Sequence, residues 1–303
     1  MRPVHILAAF VLVPAVIGVA TAGGLTADEK PLAVFVSIQP QAYFVERIGG
    51  ERVRPQVLVQ PGESPATYAL TPKRLAALAK AKVLFRIGVP FEDALVPRIA
   101  RTMPGLHVVD TRQGIRLRKM EARHHSHGGL DPHIWLSPVL VQRQAKTIFE
   151  ALVRLDPKGQ AGYLANYRAF VRDLDALHRR ITRVLAPLRG KKLFVYHPAY
   201  GYFAEAYGLI QVPVQIEGKE PTAKELARLI EMAKAQDVKV VFVQPQFSTE
   251  RAEAIASAIG GAVVALDPLA KDYIRNLEEM AAKVERALAQ SARPADPRGQ
   301  TAG

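Results

Sequence analysis

The sequence has no cysteine. That absence excludes a disulfide framework and the lipid-bearing cysteine that anchors a bacterial lipoprotein. It also obliges any metal site to draw on His, Asp, Glu or water. Beyond Val19 no run is long and apolar enough to cross a bilayer. No nucleic-acid motif accompanies the net charge of +13. The basic residues are scattered, as from Arg168 to Arg183, and interleaved with Asp173 and Asp175. Such a pattern describes a solvated basic face, able at most to attract anionic lipid heads weakly, and no nucleic-acid partner is expected. The H-E-x-x-H signature of zinc hydrolases is missing as well.

What is present begins with Arg2, an apolar run from Ile6 to Val19, and Ala20-Thr21-Ala22. A basic start, a short apolar stretch and an A-x-A step predict a signal peptide over 1–22, cleaved near Gly23, and hence a free periplasmic protein. About 280 residues then remain, enough for one large or two medium domains.

The run LAVFVSI from Leu32 is short, apolar and β-branched, as in a buried parallel strand. A helix after Pro40 ends at Gly49-Gly50, a strand runs from Arg54 to Val59, and Thr71-Pro72 reads as an N-cap with proline at the first helical position. Strands at Val83 to Ile87 and His107 to Thr111 flank a helix over Phe91 to Arg101. This alternation predicts an α/β lobe with a parallel sheet over 23–158. A helix from Ser137-Pro138 to about Leu155 leads to the longest helical pattern, in which Tyr163, Phe170, Leu174, Leu177, Ile181 and Leu185 recur every three or four residues. Such a helix, within a linking segment 159–189, would be about 40 Å long and could span two lobes. Over 190–290 the strand and helix alternation resumes, predicting a second α/β lobe. The small, polar, proline-bearing residues 291–303 predict a disordered tail.

Four of the eight histidines fall in RHHSHGGLDPHIWLSP, from Arg123 to Pro138. Imidazole suits borderline divalent metals because its neutral nitrogen is a good ligand near neutral pH. His124, His125 and His127 lie in the glycine-flanked stretch 123–129, an accessory loop able to gather metal only loosely. His133 is held between Pro132 and the apolar Ile134-Trp135-Leu136, so it is the candidate preorganised ligand; the bland alternative is a buried structural histidine. Ligands in open α/β sheets gather beyond the carboxyl ends of strands. His197 follows the strand LFVY, Asp267 follows VVAL, and both precede a proline that limits backbone freedom. Either alone could simply cap a helix. Together with His133 they form a donor set suited to zinc or manganese.

Several of these segments, taken in order, resemble a known family. They are PGESPATYALTP, the histidine-rich insertion, DPHIWLSP, the long helix, VYHPAYGYFAEAYGL, EGKEPTAKEL and ALDPLA. The chain resembles the metal-binding subunits of bacterial ABC importers for zinc and manganese, the ZnuA/TroA-like proteins, over nearly its whole mature length. The resemblance implies two lobes with parallel sheets flanked by helices, one long rigid helix joining them, and a metal cleft between. It also implies delivery of Zn2+, alternatively Mn2+, to an ABC permease in the inner membrane, and a monomer is expected. His133, His197 and Asp267 match the family's ligand positions. The first family ligand is missing, because its P-H-x-Y step reads Pro65-Ala66-Thr67-Tyr68 here. Glu63, a histidine of the 124 to 127 cluster, Glu217 or water is left to complete the site.

Two other functions remain open on the sequence. One is a binding protein for another solute or a metal chelate on the same scaffold, which a wide cleft would favour. The other is a metallohydrolase, although no general base is placed beside the ligands. For a metal site, the reference histidine pKa of about 6.5 predicts that affinity falls as pH drops from 7.5 to 5.5.

Overall fold

The computed structural model describes residues 30–120, 129–215, 222–236, 238–247 and 250–290. The signal-peptide and tail segments read from the sequence, residues 123–128 of the accessory loop, and Glu217 lie outside these described residues.

The first lobe runs β1 (Leu32–Val36), α1 (Gln39–Gly49), β2 (Val53–Val57), α2 (Pro72–Leu78), β3 (Val83–Arg86), α3 (Glu92–Thr102) and β4 (His107–Asp110). Two long helices follow, α4 (Pro138–Leu155) and α5 (Gln160–Leu185). The second lobe comprises β5 (Lys192–Val195), α6 (Gly201–Tyr207), β6 (Ile210–Pro213), α7 (Ala223–Ala235), β7 (Val240–Val243), α8 (Glu250–Ala258), β8 (Ala262–Ala265) and α9 (Tyr273–Gln290). Each lobe holds a four-stranded parallel sheet, ordered β2-β1-β3-β4 and β6-β5-β7-β8. Both orders reverse direction after their first strand. The carboxyl ends beside each reversal are therefore where a ligand is expected.

Local chemistry sets the element ends. The Thr71 hydroxyl accepts from Arg74 N at 3.4 Å and Pro72 opens α2, while Thr222 and Glu225 cap α7 reciprocally. The β6 ladder ends at Pro213. Val214 and Gln215 nevertheless still donate to Val195 O and Tyr196 O, both at 2.8 Å.

The 26-residue α5 rises about 39 Å. Its buried stripe is the periodic one in the sequence: Tyr163, Phe170, Leu174, Leu177, Ile181 and Leu185. That stripe lies in a single apolar cluster reaching from Val34 and Phe44 in the first lobe to Phe203 and Leu266 in the second. Helix α5 is not the sole bridge. The start of α9 crosses back, setting Tyr273 edge-on to Phe44 at 4.9 Å between ring centres. The Trp135 indole donates to Pro268 O at 2.7 Å and ties the His133 segment to the loop after β8. Each bridge buries apolar surface at about 25 cal/mol per Å2, so parting the lobes would expose a continuous core.

Candidate metal-binding site

His133 is fixed first by its own chain. Pro132 precedes it, the short 3-10 turn Ile134–Leu136 is wholly buried after it, and its ring meets Trp135 at 5.0 Å. Asp131, 1% exposed, accepts from His133 N at 3.0 Å and from His133 Nδ1 at 2.7 Å through the same Oδ1. An ionised carboxylate can only accept, so Nδ1 carries the hydrogen. The Nε2 lone pair is thereby left for a ligand.

His197 is fixed by the sheet. The register that sets Val195 beside Pro213 and Phe242 carries His197, two residues on, beside Gln215 and Gln244. Gln215 Oε1 lies 3.2 Å from His197 Nδ1. The Gln244 amide accepts from His197 N at 3.4 Å and donates to His197 O at 2.9 Å. Both glutamines are buried, and Phe247 stacks on the imidazole at 5.2 Å. His197 thus also donates through Nδ1, and among the described residues its Nε2 has no hydrogen-bond partner.

The two imidazoles face one another, with ring centres 5.5 Å apart and planes at 72°. Two imidazoles sharing a tetrahedral zinc, with Zn–N of about 2.0–2.1 Å, place their ring centres about 5 Å apart. The spacing therefore suits one ion between them. Burial, and secondly the neighbouring His133 ring, lower the His197 pKa to about 4. Part of the His197 ring still opens onto the cleft. Its neutral, ligating form is accordingly the resting form at neutral pH.

Both rings line a cleft of about 590 Å3 between the lobes. Ser64, Pro65 and Ala66 border it from the first lobe, so Ala66 shares one cleft with both histidines. Asp267 stands apart. Its Oδ1 accepts from Gln246 Nε2 and Leu269 N, each at 2.9 Å, and it opens onto an adjoining cavity of about 170 Å3 beside Gln60 and Gly62. Among the described residues no three His, Asp or Glu side chains lie close enough together to hold an ion. Glu63 is occupied in its own turn, with Oε2 accepting from Gln60 N at 2.7 Å.

His124, His125 and His127 lie outside the described residues, but the chain on either side of them is fixed. Lys119 and Leu130 form an antiparallel bridge, Met120 N donates to Gly129 O at 2.9 Å, and Met120, Gly129 and Leu130 line the cleft. The insertion therefore leaves from the cleft rim.

Sequence reading missed Asp131, Gln215 and Gln244. Asp131 had a signal, standing two residues before the candidate ligand in Asp-Pro-His. The glutamines had none, since only the register of three strands gathers them around His197.

The family model described as the periplasmic zinc-uptake complex component A, ZnuA, matches residues 34–287. The high-affinity zinc uptake system protein ZnuA of Bacillus subtilis is 32% identical over 281 residues, covering 87% of this chain and 86% of that protein. A manganese-binding lipoprotein MntA of Halalkalibacterium halodurans is 30% identical over 227 residues, with 73% of each chain covered. A zinc-bound ZnuA deletion mutant superposes with a TM-score of 0.81 at 43% identity, covering 88% of this chain and all of that one. Matched along the two lobes, the linking helices and the histidine-bearing cleft, the chain belongs to the ZnuA family of metal-uptake proteins.

Proposed function

We propose that this protein captures a divalent transition metal, zinc ahead of manganese, in the cleft between its lobes and hands it to an ABC permease in the inner membrane. The observation that carries this reading is the facing pair His133 and His197, each with Nδ1 engaged and Nε2 free, at a spacing that suits one ion. Asp267 supplies a third donor by turning Oδ2 past Gln246 as the ion enters. Glu63, committed to its own turn, takes no part, and the 124 to 127 histidines act as a loose collector at the rim. Relatives named for zinc uptake and for manganese binding support the choice of ions. The hydrolase alternative loses its footing with membership of an uptake family.

The test is a competition titration of the full chain with zinc and with manganese against a chelator of known affinity. His133→Ala and His197→Ala should each weaken zinc binding by about a hundredfold or more, beyond the 10- to 100-fold typical of an outer partner. Parent-like zinc binding by both variants would overturn the reading.

A further inference from the structure

Resting on the metal-capture reading, we propose that the ion is held together with a small carboxylate anion seated against Arg112. With Asp267 turned in as a third donor beside His133 and His197, a tetrahedral ion still has one position open. Ala66, which borders the same cleft from the first lobe, offers only a methyl group and does not fill that position. The cleft of about 590 Å3 is far larger than one ion fills. It falls within the range of about 300–1,000 Å3 typical of small organic ligands.

Arg112 borders the same cleft. Asp110 holds its Nε at 2.9 Å and its Nη2 at 2.7 Å, which fixes the plane of the guanidinium. Among the described residues Nη1 has no hydrogen-bond partner. It lies over Gly88, another cleft residue, which has φ +90° and where an added Cβ would come within 2.2 Å of Nη1. Glycine at 88 thus makes room for this cation in two ways, by its backbone angle and by its missing side chain.

The carboxylates facing Arg112 are Asp110, Glu92 and Asp93. Glu92 is wholly buried and already accepts from Ser37 Oγ, Arg86 Nε and the Ile87 and Gly88 amides. Asp110 is shared between Arg112 and Arg86. Asp93, exposed at the start of α3 and also at the cleft, is the carboxylate of this chain that competes for the same place.

A guanidinium cannot coordinate a metal, but it binds a carboxylate whose other oxygen can. In a cleft lined by two imidazoles, the anion offsets the charge of the incoming cation while the guanidinium orients it. The pairing also uses the space that Ala66 leaves open.

The test measures zinc affinity of the full chain at fixed free zinc and ionic strength, in perchlorate, acetate and succinate. Acetate or succinate should tighten zinc binding by about tenfold, the size of one charge-assisted hydrogen bond. Arg112→Gln should lose that response, and Arg112→Lys, which keeps the charge without the fork, should recover only part of it. Equal affinity in all three salts overturns the proposal, and a loss on Asp93→Asn would then assign the carboxylate to the chain itself. If the parent binds no zinc in any salt, the metal-capture reading fails, which is a separate outcome.

Discussion

Asp131 Oδ1 accepts from both the backbone N–H and the ring Nδ1 of His133, at 3.0 and 2.7 Å. One oxygen therefore sets the position and the tautomer of the ring. Asp131→Asn should lower zinc affinity by about 10- to 100-fold, as losses of such partners do. Chelator competition checks this, with near-ultraviolet circular dichroism confirming that Trp135 keeps its packing.

His197 makes the stability of the metal-free chain depend on pH. Its folded pKa of about 4 lies below the unfolded value of about 6.5, so the unfolded chain binds the proton first as pH falls. Stability is fully present above about pH 6.5 and is lost progressively toward pH 4. The shift has a ceiling of roughly 3 kcal/mol, reduced because the ring partly opens to the cleft. Urea unfolding at several pH values should show the loss, and His197→Ala should remove this share of it. The same depression moves proton competition at His197 well below the reference histidine value.

Ala66→His should tighten zinc binding by about tenfold, because the position borders the cleft opposite His133 and His197. Glu63→Gln should leave zinc affinity near that of the parent, since Glu63 is spent on Gln60 N. Titration of the two single variants and the double variant checks both statements. A loss on Glu63→Gln would show that this carboxylate leaves its turn for the metal.

Deleting residues 123–128 should lower zinc stoichiometry while preserving the tightest site. The flanking Met120 and Gly129 are already joined by a hydrogen bond, so a shorter turn closes with little entropic cost. Isothermal titration reads both quantities, and an unchanged stoichiometry would reduce the loop to a spacer.

The fold was legible because its signals are local. The six apolar residues of α5 repeat at helical spacing, and the strands are short apolar runs bounded by turns. The histidines were legible through their type and their place after strands. Their partners were not, because Gln215 and Gln244 reach His197 only through a register that no local pattern encodes. Asp267 was legible as a residue at a strand end, but its orientation depends on Gln246 and Leu269, whose donors fix Oδ1.

The crossing of α9 onto the first lobe bears on the order in which the molecule assembles. Lys271 pairs with Glu46 across 225 positions, and Tyr273, Leu277, Met280 and Val284 complete the cluster that Phe44 begins. An emerging chain can pair the strands of its first sheet and cover most of α1 with α4 and α5, where Phe44 meets Phe170 at 5.8 Å, yet the edge of Phe44 that Tyr273 closes stays open until the last helix has been made. Contacts of such long sequence separation slow folding. A nascent chain lacking α9 therefore keeps an apolar face of α5 open and adhesive, and the seam between the lobes closes only with the final helix.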